Sequence, residues 1–255
     1  MKKQFHGKVA IVTGAGMGIG RATALLFAIE GAKVVVADIN MDKAQETVSM
    51  IKNIDGDGLS VKTDVTKAVD VKAMVDETIM NYGRLDFACN NAGIGGVSGM
   101  TAECTEENWD NVIDVNLKGV WLCMKYEIPE MLRNNGGAIV NIASVAALVG
   151  GPGIPAYSAS KGGVVQITRT AALEYAMPKG GIRVNAICPS LARTPMGERI
   201  YAAQPELEKE RLKAHPMGRM VEPEEVAEAV IWLCSDKASF VTGHIMAVEG
   251  GFLSQ

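Results

Sequence analysis

Lys8-Val9-Ala10-Ile11-Val12-Thr13-Gly14-Ala15-Gly16-Met17-Gly18-Ile19-Gly20 runs from a short β-branched segment into a glycine-rich turn, and RATALLFAIEG at 21–31 continues in helix-forming residues. A strand, a tight turn and a helix in that order open a βαβ unit. Such a turn lets backbone approach a pyrophosphate, and the helix N-terminus adds unpaired N–H donors and partial positive charge. Gly14, Gly16, Met17, Gly18 and Ile19 are therefore candidate phosphate-contacting positions. Gly20 permits close packing of helix on sheet. By itself a glycine-rich turn is weak evidence and can be a tight connection only; the rest of the chain supplies the context.

Outward from this turn, KVVVADI, LSVKTDV, LDFACNNAG, AIVNIAS, RVNAICP and HIMAVEG repeat the strand pattern, separated mostly by helix-length segments. That alternation predicts parallel strands joined by crossover helices, and strands buried on both faces are apolar along their length. The expected fold is α/β: one Rossmann-like, doubly wound parallel sheet of about seven strands flanked by helices. No linker, repeat or low-complexity tract divides residues 1–255, so a single domain is expected. Over 67–83, Val71, Met74, Val75, Thr78 and Ile79 share a helical face with Gly83 as its stop. Pro223 and acidic residues after Glu222 open another helix. The stretch 190–220, with Pro195, Pro205 and Pro216 among Met196, Tyr201, Met217 and Met220, reads as an irregular excursion outside the sheet, a candidate substrate lid.

The second strand ends at Asp38, eighteen residues after Gly20. A carboxylate there accepts from both ribose hydroxyls of an adenosine and repels a 2′-phosphate. Neither Met17 nor Ile39 offers a cation to neutralise such a phosphate, so NAD is favoured over NADP. The competing role, capping the next helix, falls more naturally to Asn40 or Asp42. Asp64 and Val65 end the third strand and Asn91-Ala92-Gly93 follow the fourth, all at the carboxyl ends where doubly wound sheets bind ligands.

Composition narrows the partners. Net charge is −4, and no Lys or Arg stripe follows a helix, which disfavours nucleic acid and anionic membrane as partners. The N-terminal apolar run is too short for a signal peptide, and no segment is long and apolar enough to span a bilayer. Cys89, Cys104, Cys123, Cys188 and Cys234 are scattered without metal-ligand spacing, so no metal is expected and reduced thiols in a cytoplasmic protein are.

YSASK at 157–161 places Tyr157 and Lys161 one turn apart on a helix face. Such a pair is most often a solvated surface. Its chemical reading is that the ammonium, with an oxidised nicotinamide, lowers the phenol from its ordinary pKa near ~10 and makes it a base. Ser144, ending AIVNIAS, can donate to a substrate oxygen, or merely cap the next turn.

Taken together, TGAGMGIG at 13–20, Asp38, Asp64, NNAG at 90–93, Asn116 in DVNLKG, Ser144, YSASK and the segment Pro189–Thr194 resemble the short-chain dehydrogenase/reductase family, in order and spacing, over nearly the whole chain. The resemblance implies a catalytic tetrad of Asn116, Ser144, Tyr157 and Lys161. In it Asn116 holds a water in a relay to Lys161, Lys161 also binds the nicotinamide ribose, and Pro189, Ala192 and Thr194 border the carboxamide. Asn116 has a simpler alternative, bonding backbone where a helix is interrupted. Three features depart from the family pattern: Ser190 for the usual Gly, the Gly162-Gly163 pair after Lys161, and Glu249 for Asp. The implied reaction is hydride transfer between NAD(H) and a secondary alcohol or ketone. Ala146, Leu148, Leu191 and Met196, with the pliable 149–153 run, suggest a small cyclic or aliphatic substrate. Reduction of carrier-linked 3-oxoacyl chains, oxidation of a sugar such as glucose, and a non-catalytic nucleotide sensor are the alternatives. A homotetramer packed through the 157–177 helix and the C-terminal strand is also implied.

Overall fold

The computed structural model describes residues 3–176, 181–202 and 205–254. Among them, seven strands form one wholly parallel sheet in the order β3-β2-β1-β4-β5-β6-β7. These are β1 (Val9–Thr13), β2 (Lys33–Asp38), β3 (Asp57–Lys62), β4 (Phe87–Asn90), β5 (Gly137–Ile142), β6 (Ile182–Pro189) and β7 (Ile245–Val248). Chain direction across the sheet reverses between β1 and β4, which places the ligand crevice beyond their carboxyl ends.

Helices cover both faces. On one lie α1 (Gly18–Ile29), α2 (Met41–Asn53) and α9 (Pro223–Cys234), which bury Phe27, Ala28, Val48, Val226 and Val230 against Val12, Val34 and Val140. On the other, α3 (Ala68–Tyr82), α5 (Gly119–Arg133) and α6 (Pro155–Tyr175) bury Met74, Val75, Met124, Met131 and Val164 against Ile11, Val35 and Ile139. Double coverage explains why β1 and β4 are buried at every residue. Gly83 stops α3 in the left-handed region at φ 75°, and α9 opens with Pro223 inside a Glu222–Glu225 capping box. Ahead of α5, α4 (Glu106–Ile113) runs into a π-helical turn at Asp114–Lys118.

Two expectations change. The third strand stops at Lys62 rather than at Asp64 and Val65, because the Asp64 carboxylate folds onto the Thr66 N–H (3.1 Å) and hydroxyl (2.7 Å), a local turn that competes with the ladder. The 190–220 stretch is not irregular: α7 (Pro195–Ala202) and α8 (Pro205–Lys213) lie within it. Each proline opens its helix, where no N–H is required, instead of breaking one. Residues 203–204 of this stretch, and Met177 at the end of the expected packing helix, lie outside the described residues.

Candidate active site

The glycine-rich turn is shaped by close approaches. Gly14 and Gly18 have φ of 61° and 55°. A Cβ at Gly14 would stand 2.9 Å from Ala92 Cα, and one at Gly20 would stand 2.2 Å from the Gly14 carbonyl oxygen. Gly20 thus packs α1 onto the turn itself. Met17, the residue before α1, offers no side-chain cap, so the first N–H groups of the helix remain for a ligand. Asn91 ties β4 to this turn: its amide donates to the Thr13 and Gly14 carbonyls at 2.9 and 3.1 Å.

Asp38 caps nothing; Asn40 does, accepting the Lys43 N–H at 3.1 Å. The Asp38 carboxylate instead accepts the Gly16 N–H at 2.8 Å and the Asn40 N–H at 2.9 Å. Two cations missed by sequence reading flank it. The Arg21 guanidinium bonds the Gly16 carbonyl and pairs with Glu46 at 2.9 Å, and Lys43 pairs with the other Glu46 oxygen at 2.8 Å. Glu46 therefore holds both charges. Ile39 lies exposed beside them. Asp64 has its carboxyl below the ordinary value, because hydrogen bonds from Thr66 and the Lys67 ammonium outweigh the opposing effect of partial burial. Val65 packs beneath Gly119.

Across the crevice, Thr194 faces Gly18, where a Cβ would meet its methyl at 3.2 Å. Pro189 ends β6, and Ala192 bridges to Val221. Gly93 keeps a space open: a Cβ there would lie 3.2 Å from Asn116 Oδ1 and 3.5 Å from Lys161 Nζ. Asn116, fully buried on the π-turn, clamps this loop reciprocally, accepting the Ile94 N–H at 2.8 Å and donating to the Ile94 carbonyl at 2.9 Å. Its amide also donates to Ser160 at 3.2 Å. Both amide hydrogens of Asn116 are thereby engaged, and its Oδ1 keeps one lone pair.

Lys161 is buried and donates to the Ile142 carbonyl at 2.8 Å. Burial brings its ammonium down to about 8, with Cys188 pushing weakly the other way. Tyr157 lies on the same face, its ring centroid 5.8 Å from Lys161 Nζ. Burial pushes the phenol up, opposed by its hydrogen bond with Ser144; the lowering expected here requires an oxidised nicotinamide beside it as well as Lys161. No effect of Lys161 counterbalances burial here, so desolvation wins. Ser144 caps the following turn, accepting the Ala146 N–H at 3.2 Å.

Ser190 forms a contact that sequence reading missed. Its hydroxyl is hydrogen-bonded to Nε2 of buried His215, whose Nδ1 lies 2.7 Å from the Arg211 carbonyl and whose ring stacks on Phe252 with centroids 4.9 Å apart. With the Val221 N–H donating to the Leu191 carbonyl at 2.8 Å, this joins the two legs of the excursion.

A glycine cradle at a helix N-terminus, a strand-end carboxylate and a Tyr-Lys-Ser cluster with a buried lysine fit a dinucleotide-dependent oxidoreductase, and they fit the nicotinamide cofactor such a site would hold. Residues 14–253 match the family model described as enoyl-(acyl carrier protein) reductase. The chain is 46% identical over 255 residues to the cyclohexanol dehydrogenase of Acinetobacter sp. (strain SE19), covering 100% of this chain and 98% of that one. It is also 46% identical over 247 residues to the 2,5-dichloro-2,5-cyclohexadiene-1,4-diol dehydrogenase of Sphingobium indicum, covering 96% and 97%. Among solved structures, NAD+-bound xylitol dehydrogenase superposes with a TM-score of 0.94 at 32% identity, covering 98% and 100%. The chain belongs to the short-chain dehydrogenase/reductase family and is an oxidoreductase acting on CH–OH groups.

Proposed function

We propose that the protein transfers a hydride reversibly between NAD(H) and a compact secondary alcohol or ketone, cyclic in preference to long-chain. The observation that carries this reading is the Tyr157 hydroxyl, bonded to Ser144 and set beside Lys161 at the end of the glycine-lined crevice. The names of the two relatives, both dehydrogenases of ring alcohols, support the ring. Gly14, Gly16, Met17, Gly18 and Ile19 would hold the pyrophosphate, and Asp38 with Ile39 the adenosine ribose. Asp64 and Val65 would border the adenine, and Asn91, Ala92 and Gly93 the central ribose. Pro189, Ala192 and Thr194 would orient the carboxamide. When bound, the nicotinamide supplies the hydride acceptor or donor.

Tyr157 takes the proton from the substrate hydroxyl in oxidation and returns it to the carbonyl oxygen in reduction. Ser144 donates a hydrogen bond to the same oxygen. Lys161, its ammonium brought down to about 8 by burial, passes the proton onward and binds the ribose, while Asn116 fixes the 93–95 loop against it. The 190–220 excursion closes over the substrate within a single domain.

Exposed Trp121 on α5 and Leu173 on α6 support a homotetramer built on those helices. Among the described residues no helix is long and apolar enough to cross a membrane. The test is a panel of cyclic alcohols, aliphatic alcohols, glucose and a 3-oxoacyl thioester, each assayed with NAD and NADP. Fastest turnover of a ring alcohol with NAD is expected; a thioester with NADP in first place would overturn it.

A further inference from the structure

Glu127 stands in the apolar stripe of α5, between Met124 and Met131, and is fully buried. Its Oε2 accepts from the Asn90 amide at 3.1 Å, and the same amide nitrogen donates to Asn141 Oδ1 at 3.0 Å. Asn141 in turn donates to Thr168 Oγ1 at 2.9 Å, and Thr168 donates to the Val164 carbonyl at 2.7 Å. This polar chain links α5, β4, β5 and α6. Turning the Asn90 amide over would set its oxygen against the Asn141 oxygen, so its orientation is fixed. Two buried atoms in this chain are left without any donor: Glu127 Oε1 and Asn90 Oδ1. They are the unused halves of the two groups that already touch through Oε2 and Nδ2.

A carboxylate cannot donate to an amide oxygen; a carboxylic acid can. We propose that Glu127 is held in the folded protein as a neutral acid, whose proton closes a cyclic acid–amide pair with Asn90 and braces the strand end that carries Asn91, Ala92 and Gly93. One proton satisfies both orphaned atoms, and none of the groups facing Glu127 is a cation. Cys123 on its own helix and Cys89 on β4 are buried thiols, themselves pushed up by burial and by Glu127. Asn141 and Thr168 are neutral, and α3 and β6 bring Val71, Met74, Val184 and Ala186 to the same cluster. Burial accordingly raises the Glu127 carboxyl to about 7, against the lowering effect of Asn90.

Asn90 precedes the residue that ties down the glycine turn, and Asn141 precedes the carbonyl that holds Lys161. Glu127 is thus a positioning residue, one layer behind the site. Its protonation state does not depend on the roles given to Tyr157 or Asp38; only an effect on cofactor affinity does.

Glu127→Gln, which can form the same ring without a titrating proton, provides the test. The infrared difference spectrum of wild type against Glu127→Gln should show a protonated carboxyl band at about pH 6 that vanishes at about pH 9. Between about 4.5 and about 7 the unfolded chain loses this proton and the folded chain keeps it, so stability falls relative to Glu127→Gln as pH rises and levels off above about 7. The wild-type melting temperature should therefore drop against the variant across that window. NADH affinity should weaken more steeply above neutrality in wild type than in Glu127→Gln, which keeps only the dependence due to Lys161. Should the variant not fold, a carboxyl-13C glutamate titration of wild type reads the same group, and one glutamate should titrate near neutrality. Absence of the acid band, or of a near-neutral glutamate, means an ionised Glu127 satisfied by water and overturns the proposal. A melting difference that does not vary with pH would overturn it too.

Discussion

The carboxylate of Asp38 accepts the Gly16 N–H at 2.8 Å, so the end of β2 holds the glycine turn, and in the proposed site it also receives the adenosine ribose. Charge-assisted bonds of this kind contribute about 1.5–3 kcal/mol. Asp38→Ser should therefore weaken NADH binding by about 10- to 100-fold, measured by fluorescence titration. Because Glu46 holds Arg21 and Lys43, NADPH should gain little in the single variant and more in Asp38→Ser/Glu46→Gln. Tighter binding of NADPH than NADH by the wild type would refute the role given to Asp38.

Tyr157 should be separable from binding. Tyr157→Phe removes the hydroxyl that bonds Ser144 and leaves the ring beside Lys161, so NADH affinity should hold while kcat falls by about 10²–10⁴. Burial has pushed the phenol up, and a raised acid is deprotonated only as pH climbs. Alcohol oxidation should accelerate from about pH 6 to about pH 10, and ketone reduction should slow over the upper part of that range. A flat oxidation profile would remove Tyr157 as the base.

The Ser190–His215 bond should govern how the excursion closes. Ser190→Gly removes it and leaves the His215–Phe252 stack, so KM for the alcohol should rise with kcat much less affected. Loss of melting temperature with unchanged kinetics would make the contact structural only.

Legibility in the sequence followed the range of the interaction. The strands, the glycine turn and the Tyr157–Lys161 pair are local patterns, and each was readable within a dozen residues. Asn116 was readable as a position but not in its partner, since Ile94 lies in a separate loop brought back by the fold. Glu127 left a trace, a carboxyl in an apolar stripe, but its meaning rests on Asn90 and Asn141 arriving from two strands. The burial of Tyr157 was not readable, because spacing along a helix gives proximity to Lys161 without giving burial. Prolines 195 and 205 misled because a helix start and a helix break look alike until the next turn is placed.

The two glycines after Lys161 separate packing from propensity. A Cβ at Gly163 would stand 2.7 Å from Leu117 Cδ2, next to Asn116, whereas one at Gly162 meets nothing within 4 Å. In a helix interior, Gly→Ala gains roughly 0.5–1 kcal/mol where space allows, while overpacking costs typically about 1–3 kcal/mol. Gly162→Ala should therefore raise the melting temperature of the subunit, and Gly163→Ala should lower it and reduce kcat by displacing Leu117 and the π-turn. Denaturant unfolding reads the first effect and steady-state kinetics the second. Because α6 is also a proposed packing helix, light scattering on Gly162→Ala adds a third reading. If that open space belongs to a neighbouring subunit, the variant should shift the assembly toward smaller species even as the isolated fold becomes more stable.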